Sequence, residues 1–144
     1  MEGYTLPRVD VVITEWALQS YLDLRARTVF TDAEYWRTIR PDVERLKREP
    51  TLPLQAPEFQ NHAFWSAATD RNGRQIQDGF KMKWHNMGPG RVQLRLLLGI
   101  VTGRVFLCRA YVKDSAATDV REMTNLKNHI ALIRAARFQY RGQL

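Results

Sequence analysis

The sequence predicts a single α+β domain, an antiparallel β-sheet of three to five strands with helices packed on one face, in the order β-α-α-β-β-β-α. Three observations carry this expectation. Phe80-Lys81-Met82-Lys83-Trp84-His85 alternates apolar and polar residues without a fault, the period of a strand. Near the C-terminus, Met123, Leu126, Ile130 and Ile133 are spaced 3, 4 and 3 apart, the period of a helix. The chain has 144 residues, 44% hydrophobic and 26% charged, which suits one domain with one modest core.

The first element is a short strand through Val9, Val11 and Ile13. Thr14 can cap the helix that follows, through Trp16, Leu18, Tyr21, Leu22 and Arg25. Thr31-Asp32-Ala33-Glu34 is a capping box that opens a second helix with Tyr35, Trp36, Ile39, Val43 and Leu46 as its apolar positions. Pro41 interrupts that pattern, so a kink or break is expected there. Residues 1–49 thus form a strand and a helical hairpin. The prolines of residues 50–57 end the helix, and residues 50–77 read as a connector or insertion. Within it, His62 to Thr69 can pair with Arg74 to Gln77 across the Asp70-Arg71-Asn72-Gly73 turn.

Residues 78–144 hold the main sheet and the last helix. After the 80–85 strand comes a Gly88-Pro89-Gly90 turn, then a hairpin of Arg91 to Thr102 and Arg104 to Lys113. The last helix runs from Thr118 or Asp119, its expected cap, to about Arg137.

Charge is distributed unevenly over this plan. Residues 1–70 hold 8 Lys+Arg against 11 Asp+Glu, a net −3, whereas residues 71–144 hold 14 against 4, a net +10. Such asymmetry within one domain points to a surface that meets a polyanion, most often nucleic acid. The alternation of strand side chains locates it. If Phe80, Met82 and Trp84 face the core, Lys81, Lys83 and His85 face away. In the next strand Val92, Leu94, Leu96 and Leu98 point inward and Arg91, Gln93 and Arg95 outward. In the last, Phe106, Cys108, Ala110 and Val112 point inward and Arg109, Tyr111 and Lys113 outward. A three-residue loop at Val101-Thr102-Gly103 makes these faces agree, with Arg95 opposite Arg109, Gln93 opposite Tyr111 and Arg91 opposite Lys113. Like charges placed directly across strands repel, and a polyanion would neutralise them.

Other chemistries find little support. The four carboxylates of the basic half, Asp78, Asp114, Asp119 and Glu122, are too scattered for a carboxylate-held Mg²⁺ site. His62, His85 and His129 lack metal-ligand spacing, so no metal and no cofactor is expected. The lone Cys108 reads as an inert core thiol. Trp84 reads as core and Trp65 as core or a base-stacking platform. No apolar run approaches a membrane span, and MEGYTLPRVD does not read as a secretory signal, so a cytoplasmic protein is expected.

From Gly79 to Ile130 the chain resembles the RelE/ParE superfamily of toxin–antitoxin toxins, nearest its RelE/HigB-like branch. The residues concerned are Gly79-Phe80-Lys81-Met82-Lys83-Trp84, Gly88-Pro89-Gly90-Arg91, Arg95-Leu96-Leu97-Leu98, Val105 through Lys113, and Asp119-Val120-Arg121-Glu122-Met123. The resemblance implies a metal-independent endoribonuclease acting on mRNA, often on the ribosome, and held inactive by a cognate antitoxin protein. It implies catalytic roles for Lys81, Lys83, Arg95 and Lys113, while His85, Arg91, Arg109 and Tyr111, from the outward strand face, are the expected RNA contacts. Where some members carry a catalytic tyrosine at the start of the last helix, this chain has Val120. The same fold also serves gyrase poisons of the ParE branch. A third reading is a nucleic-acid-binding module without chemistry.

Overall fold

The computed structural model describes residues 9–48 and 56–144. Residues 50–55 of the expected connector therefore lie outside the described residues. Strand β1 (Val11–Thr14) passes directly into helix α1 (Glu15–Ala26). Thr14 makes that junction: fully buried, it accepts a hydrogen bond from Ala17 N at 3.3 Å and donates one to Leu107 O at 2.7 Å. The capping box at Thr31 and Glu34 forms as expected and opens α2 (Asp32–Glu34). The second helix is then broken into a π-helical turn (Tyr35–Ile39), α3 (Arg40–Glu44) and a 3₁₀ turn (Arg45–Arg48). Pro41 has no N–H to give to the preceding turn, and the wider π turn sits immediately ahead of it.

After a 3₁₀ turn at Pro57–Gln60, strands β2 (Trp65–Thr69), β3 (Gln75–Met87), β4 (Val92–Val101) and β5 (Arg104–Lys113) form an antiparallel meander. Helix α4 (Ala116–Arg134) and a short β6 (Tyr140–Gln143) complete the chain. The sheet order is β2-β3-β4-β5-β1-β6.

The α+β class holds, but three expectations about the sheet need correction. It has six strands rather than three to five. It is mixed rather than antiparallel, because β1 lies parallel to β5 while β6 pairs antiparallel with β1. Helices also cover both faces rather than one. Alternate β4 residues separate into two cores: Leu94, Leu96 and Leu98 pack with Leu24, Ile39 and Val43, whereas Leu97 and Val101 pack with Met123, Leu126, Ile130 and Ile133 of α4. The close approach of α4 depends on a pair of glycines directly opposite each other, Gly79 and Gly99. A methyl group on either would come within 3.2 Å of Leu126 or Ile130.

Helix α4 also starts earlier and stops earlier than expected. Its cap is Ser115, whose hydroxyl accepts from Thr118 N at 3.1 Å, and it ends at Arg134. Among the described residues, no helix is long and apolar enough to cross a membrane.

The β4–β5 turn differs from the expected three-residue loop. Val101 pairs with Arg104, so the loop is Thr102-Gly103, both at positive φ (49° and 75°), as a two-residue hairpin turn requires. A bulge at Cys108 then adds one residue to β5, so that Leu98 faces Leu107 but Leu97 faces Arg109. Phe106 and Cys108 consequently join the α4-side core instead of the opposite one. Beyond the bulge the sides are those expected, with Ala110 and Val112 packed on the first core.

Candidate functional site

On the α4 side, the sheet carries its basic residues in three cross-strand rows. Ser66, Lys81, Leu97 and Arg109 form one row across β2 to β5. Lys83, Arg95 and Tyr111 form the next, and Gln93 with Lys113 the third. The expected pairings Arg95–Arg109, Gln93–Tyr111 and Arg91–Lys113 are thereby replaced, each shifted by two residues, one from the shorter turn and one from the bulge. Helix α4 covers the apolar end of this face with Met123, Leu126, Ile130 and Ile133. Its first turns reach the basic rows.

Two α4 carboxylates organise those rows. Asp119 accepts from Tyr111 Oη at 2.6 Å and pairs with Lys113 Nζ at 3.1 Å. Glu122, only 2% exposed, accepts from Arg109 Nε at 2.5 Å. The sequence reading passed over both because it counted carboxylates only as metal ligands. A signal was present: Asp119, Glu122 and Leu126 follow the i, i+3, i+7 spacing of one helix face, the face that Leu126 buries.

Arg95 occupies the middle row and is 7% exposed, far more buried than an outward-pointing residue should be. It donates from Nη1 to Leu94 O at 3.2 Å and forms no ion pair with a carboxylate among the described residues. Buried charges are ordinarily paired. Burial lowers the Arg95 pKa, with Tyr111 and Asp119 opposing that shift. Burial also lowers the pKa of Lys81; Asp119 counteracts this, and the positive charges of Lys113 and Arg95 add to it. For Lys83 the lowering comes from burial and then from Lys81, Arg95 and Lys113. Asp119 is the one carboxylate among these influences that favours protonated lysine. Burial would raise its own pKa, yet hydrogen bonds from Tyr111 and Lys113 and the lysine charges hold it below the ordinary value.

Lys81, Lys83, Arg95, Tyr111 and Lys113 therefore lie on adjoining rows of one face, with Asp119 bonded to Tyr111 and Lys113. Tyr111 is 4% exposed, and burial, together with its bond to Asp119, raises its phenol pKa. It is a buried support for Asp119 rather than the expected surface RNA contact. Arg109 is committed to Glu122. Lys83 Nζ donates to His62 O at 2.7 Å, and the exposed His85 bridges Gln93 Oε1 at 2.6 Å and Ala63 O at 2.7 Å. Arg91 stands apart, exposed in the Gly88–Arg91 turn ahead of β4. Val120 is 38% exposed and supplies no acid or base.

One further polar group lies on this face. Ser66 Oγ, opposite Lys81, is buried and has no hydrogen-bond partner among the described residues. Trp65 and Trp84 are both buried, and Trp84 Nε1 donates to Asp42 Oδ2 at 2.8 Å, so neither is a free stacking platform. The Cys108 thiol is fully buried and pushed up to about 12 by that burial. Among the described residues no group of three or more His, Cys, Asp and Glu is arranged to hold a metal ion.

Chemically, the arrangement offers a buried guanidinium, two half-buried lysines whose burial favours the neutral amine, and a third lysine, with one carboxylate between them. Such a cluster can bind an oxyanion, stabilise added negative charge on it, and exchange protons beside it. Comparison of the chain with models of known protein families and with curated proteins gave no match.

Proposed function

We propose that this protein is a metal-independent endoribonuclease acting on mRNA, with the ribosome as its setting, and the toxin partner of an antitoxin. The observation that carries the reading is the placement of Lys81, Lys83, Arg95 and Lys113 on adjoining cross-strand rows of one face, with Asp119 paired to Lys113 beside them. The +10 charge of residues 71–144 and the order of a strand, helices, a meander and a final helix support it.

In this reading the ribose 2′-OH attacks the adjacent phosphorus and the bond to the 5′-oxygen breaks, leaving a 2′,3′-cyclic phosphate and a 5′-hydroxyl. Arg95 stabilises the charge that grows on the non-bridging oxygens, where a preorganised donor acts most strongly. Lys81, whose burial and cationic neighbours favour the neutral amine, accepts the 2′-OH proton. Lys83 and Lys113 hold the flanking phosphates, and one of these ammonium groups returns a proton to the departing oxygen. The antitoxin supplies negative charge to cover this face.

Incubating the protein with ribosome-bound message in Mg²⁺ buffer and with free message in EDTA, and mapping ends by primer extension, tests the reading. Site-specific cuts ending in cyclic phosphate are expected. Intact message, with either DNA damage in cells or salt-sensitive RNA binding alone, would overturn it in favour of a gyrase poison or a binding module.

A further inference from the structure

On the opposite face of the sheet, we propose that the domain holds a second site, an apolar cavity that takes one small neutral molecule of single-ring to indole size. The cavity, of about 180 Å³, lies between β4, β5, α1 and the π turn. Its floor is Trp84, Leu94 and Leu96, all buried, and its rim includes the half-buried Tyr21 and Tyr35. It opens to the surface at that rim, so a small molecule can enter it from solvent.

The lining chemistry selects the occupant. Water held in a cavity needs about two to four polar partners, and these walls are almost entirely hydrocarbon. Hydrocarbon-lined cavities of roughly 150 Å³ stay dry and accept benzene. The only charged side chain in the lining is Arg40, and it is already engaged: Nε pairs with Glu44 at 2.9 Å and Nη1 donates to Tyr35 Oη at 3.3 Å. Its charge is balanced by Glu44 and the rest of the lining is apolar, so a neutral ligand is favoured.

An aromatic body suits the wall best. Tyr21, Phe30 and Tyr35 form a mutual cluster with ring centroids 5.0 to 6.0 Å apart, the range in which rings pack on one another. The π turn supplies Tyr35 and Ile39 to the lining, and π turns recur at functional sites. The floor is also the reverse side of strands that carry Lys83 and Arg95, yet the proposal does not depend on the nuclease reading.

Indole is the probe. Methyl resonances of Leu94 and Leu96, followed by NMR as indole is added to the full chain, should shift saturably at one equivalent, and the melting temperature should rise with indole concentration. Benzoate should leave them in place. Val43→Phe should fill the cavity and weaken indole binding about tenfold or more, the consequence of losing roughly a methylene or two of contact. Ala17→Leu fills it from α1 and serves if Val43→Phe does not fold. Methyl shifts that fail to saturate up to the solubility of indole would overturn the proposal. So would undiminished affinity in a folded cavity-filling variant, or water–methyl Overhauser effects within the cavity.

Discussion

Arg95 and Tyr111 stand directly opposite each other on β4 and β5, although the two-residue turn joining those strands would set Arg95 opposite Ala110. The extra residue at Cys108 restores the pairing and turns Tyr111 toward Asp119. A one-residue slip would send the far half of β5 to the other face. The bulge therefore decides whether Tyr111 and Lys113 belong to the basic cluster at all. On the α1 side of the same bulge, Ala110 N donates to Ser20 Oγ at 2.9 Å, so α1 takes over the edge of β5 where β1 ends.

Removing the central carboxylate should make the cluster more strongly basic-repulsive. In Asp119→Asn, the Lys81 amine loses the one influence that raises its pKa and should titrate at lower pH than in the wild type. The Tyr111 phenol, relieved of that negative charge, should move down from its raised value. Lysine-selective NMR and ultraviolet titration read the two shifts. An unchanged Lys81 would mean that Asp119 does not neutralise this cluster.

The Arg109–Glu122 pair should matter for stability rather than for RNA binding. Arg109→Met leaves the 2%-exposed Glu122 carboxylate without its cation. Breaking such a pair costs about 3 kcal/mol, the low end of the usual range because Arg109 itself remains partly hydrated. Replacing both residues, as Arg109→Met with Glu122→Met, should recover most of the loss. Urea unfolding of the three proteins measures it.

His129 predicts an acid-sensitive fold. Its ring stacks on Trp16 at 4.0 Å, and its Nδ1 is buried without a hydrogen-bond partner among the described residues. Burial, with the nearby Arg109 charge, lowers its pKa from 6.5 to about 4. As pH falls through that window the unfolded chain takes up the proton first. The contribution of neutral His129 is thus complete above about 6.5 and is lost towards 4. His129→Phe keeps the stacking, and its denaturation midpoint should vary less between those pH values.

Gly88→Ala should be among the most damaging changes outside the cores. Gly88 sits at φ +68°, and an added Cβ would come within 2.0 Å of the Val29 carbonyl oxygen. Its N–H also donates to both Glu34 carboxylate oxygens at 3.0 Å. The substitution should destabilise the protein by more than about 1 kcal/mol, read as a lowered thermal midpoint. An unchanged midpoint would mean that the β3–β4 turn does not clamp the loop after α1.

Local signals in the sequence were the legible ones. The Thr14 cap, the Thr31–Glu34 box, the Asp70–Gly73 turn and the facing of Lys81 and Lys83 depend on neighbours in the chain, and each is found. What was lost depends on residues distant in sequence. The parallel β1–β5 pair leaves no local pattern, and the exposed four-residue β6 has no apolar alternation. Covering of the second face by α4 was equally hidden, because the basic rows suggested solvent. Yet Leu97, Val101 and the Gly79–Gly99 pair on that face are what a packed helix requires. The burial of Tyr111 against α4 is hidden in the same way.

The most direct measurement is the cleavage rate of Arg95→Met on ribosome-bound message, alongside Arg25→Ala on the exposed side of α1. Methionine keeps much of the buried volume that Arg95→Ala would empty, so a preserved melting temperature can be required before rates are compared. Loss of one preorganised donor to the transition state typically costs ~100- to 1000-fold in rate. The basic cluster as active site predicts a fall of that order for Arg95→Met and none for Arg25→Ala. A folded Arg95→Met protein that cleaves at the wild-type rate would contradict it.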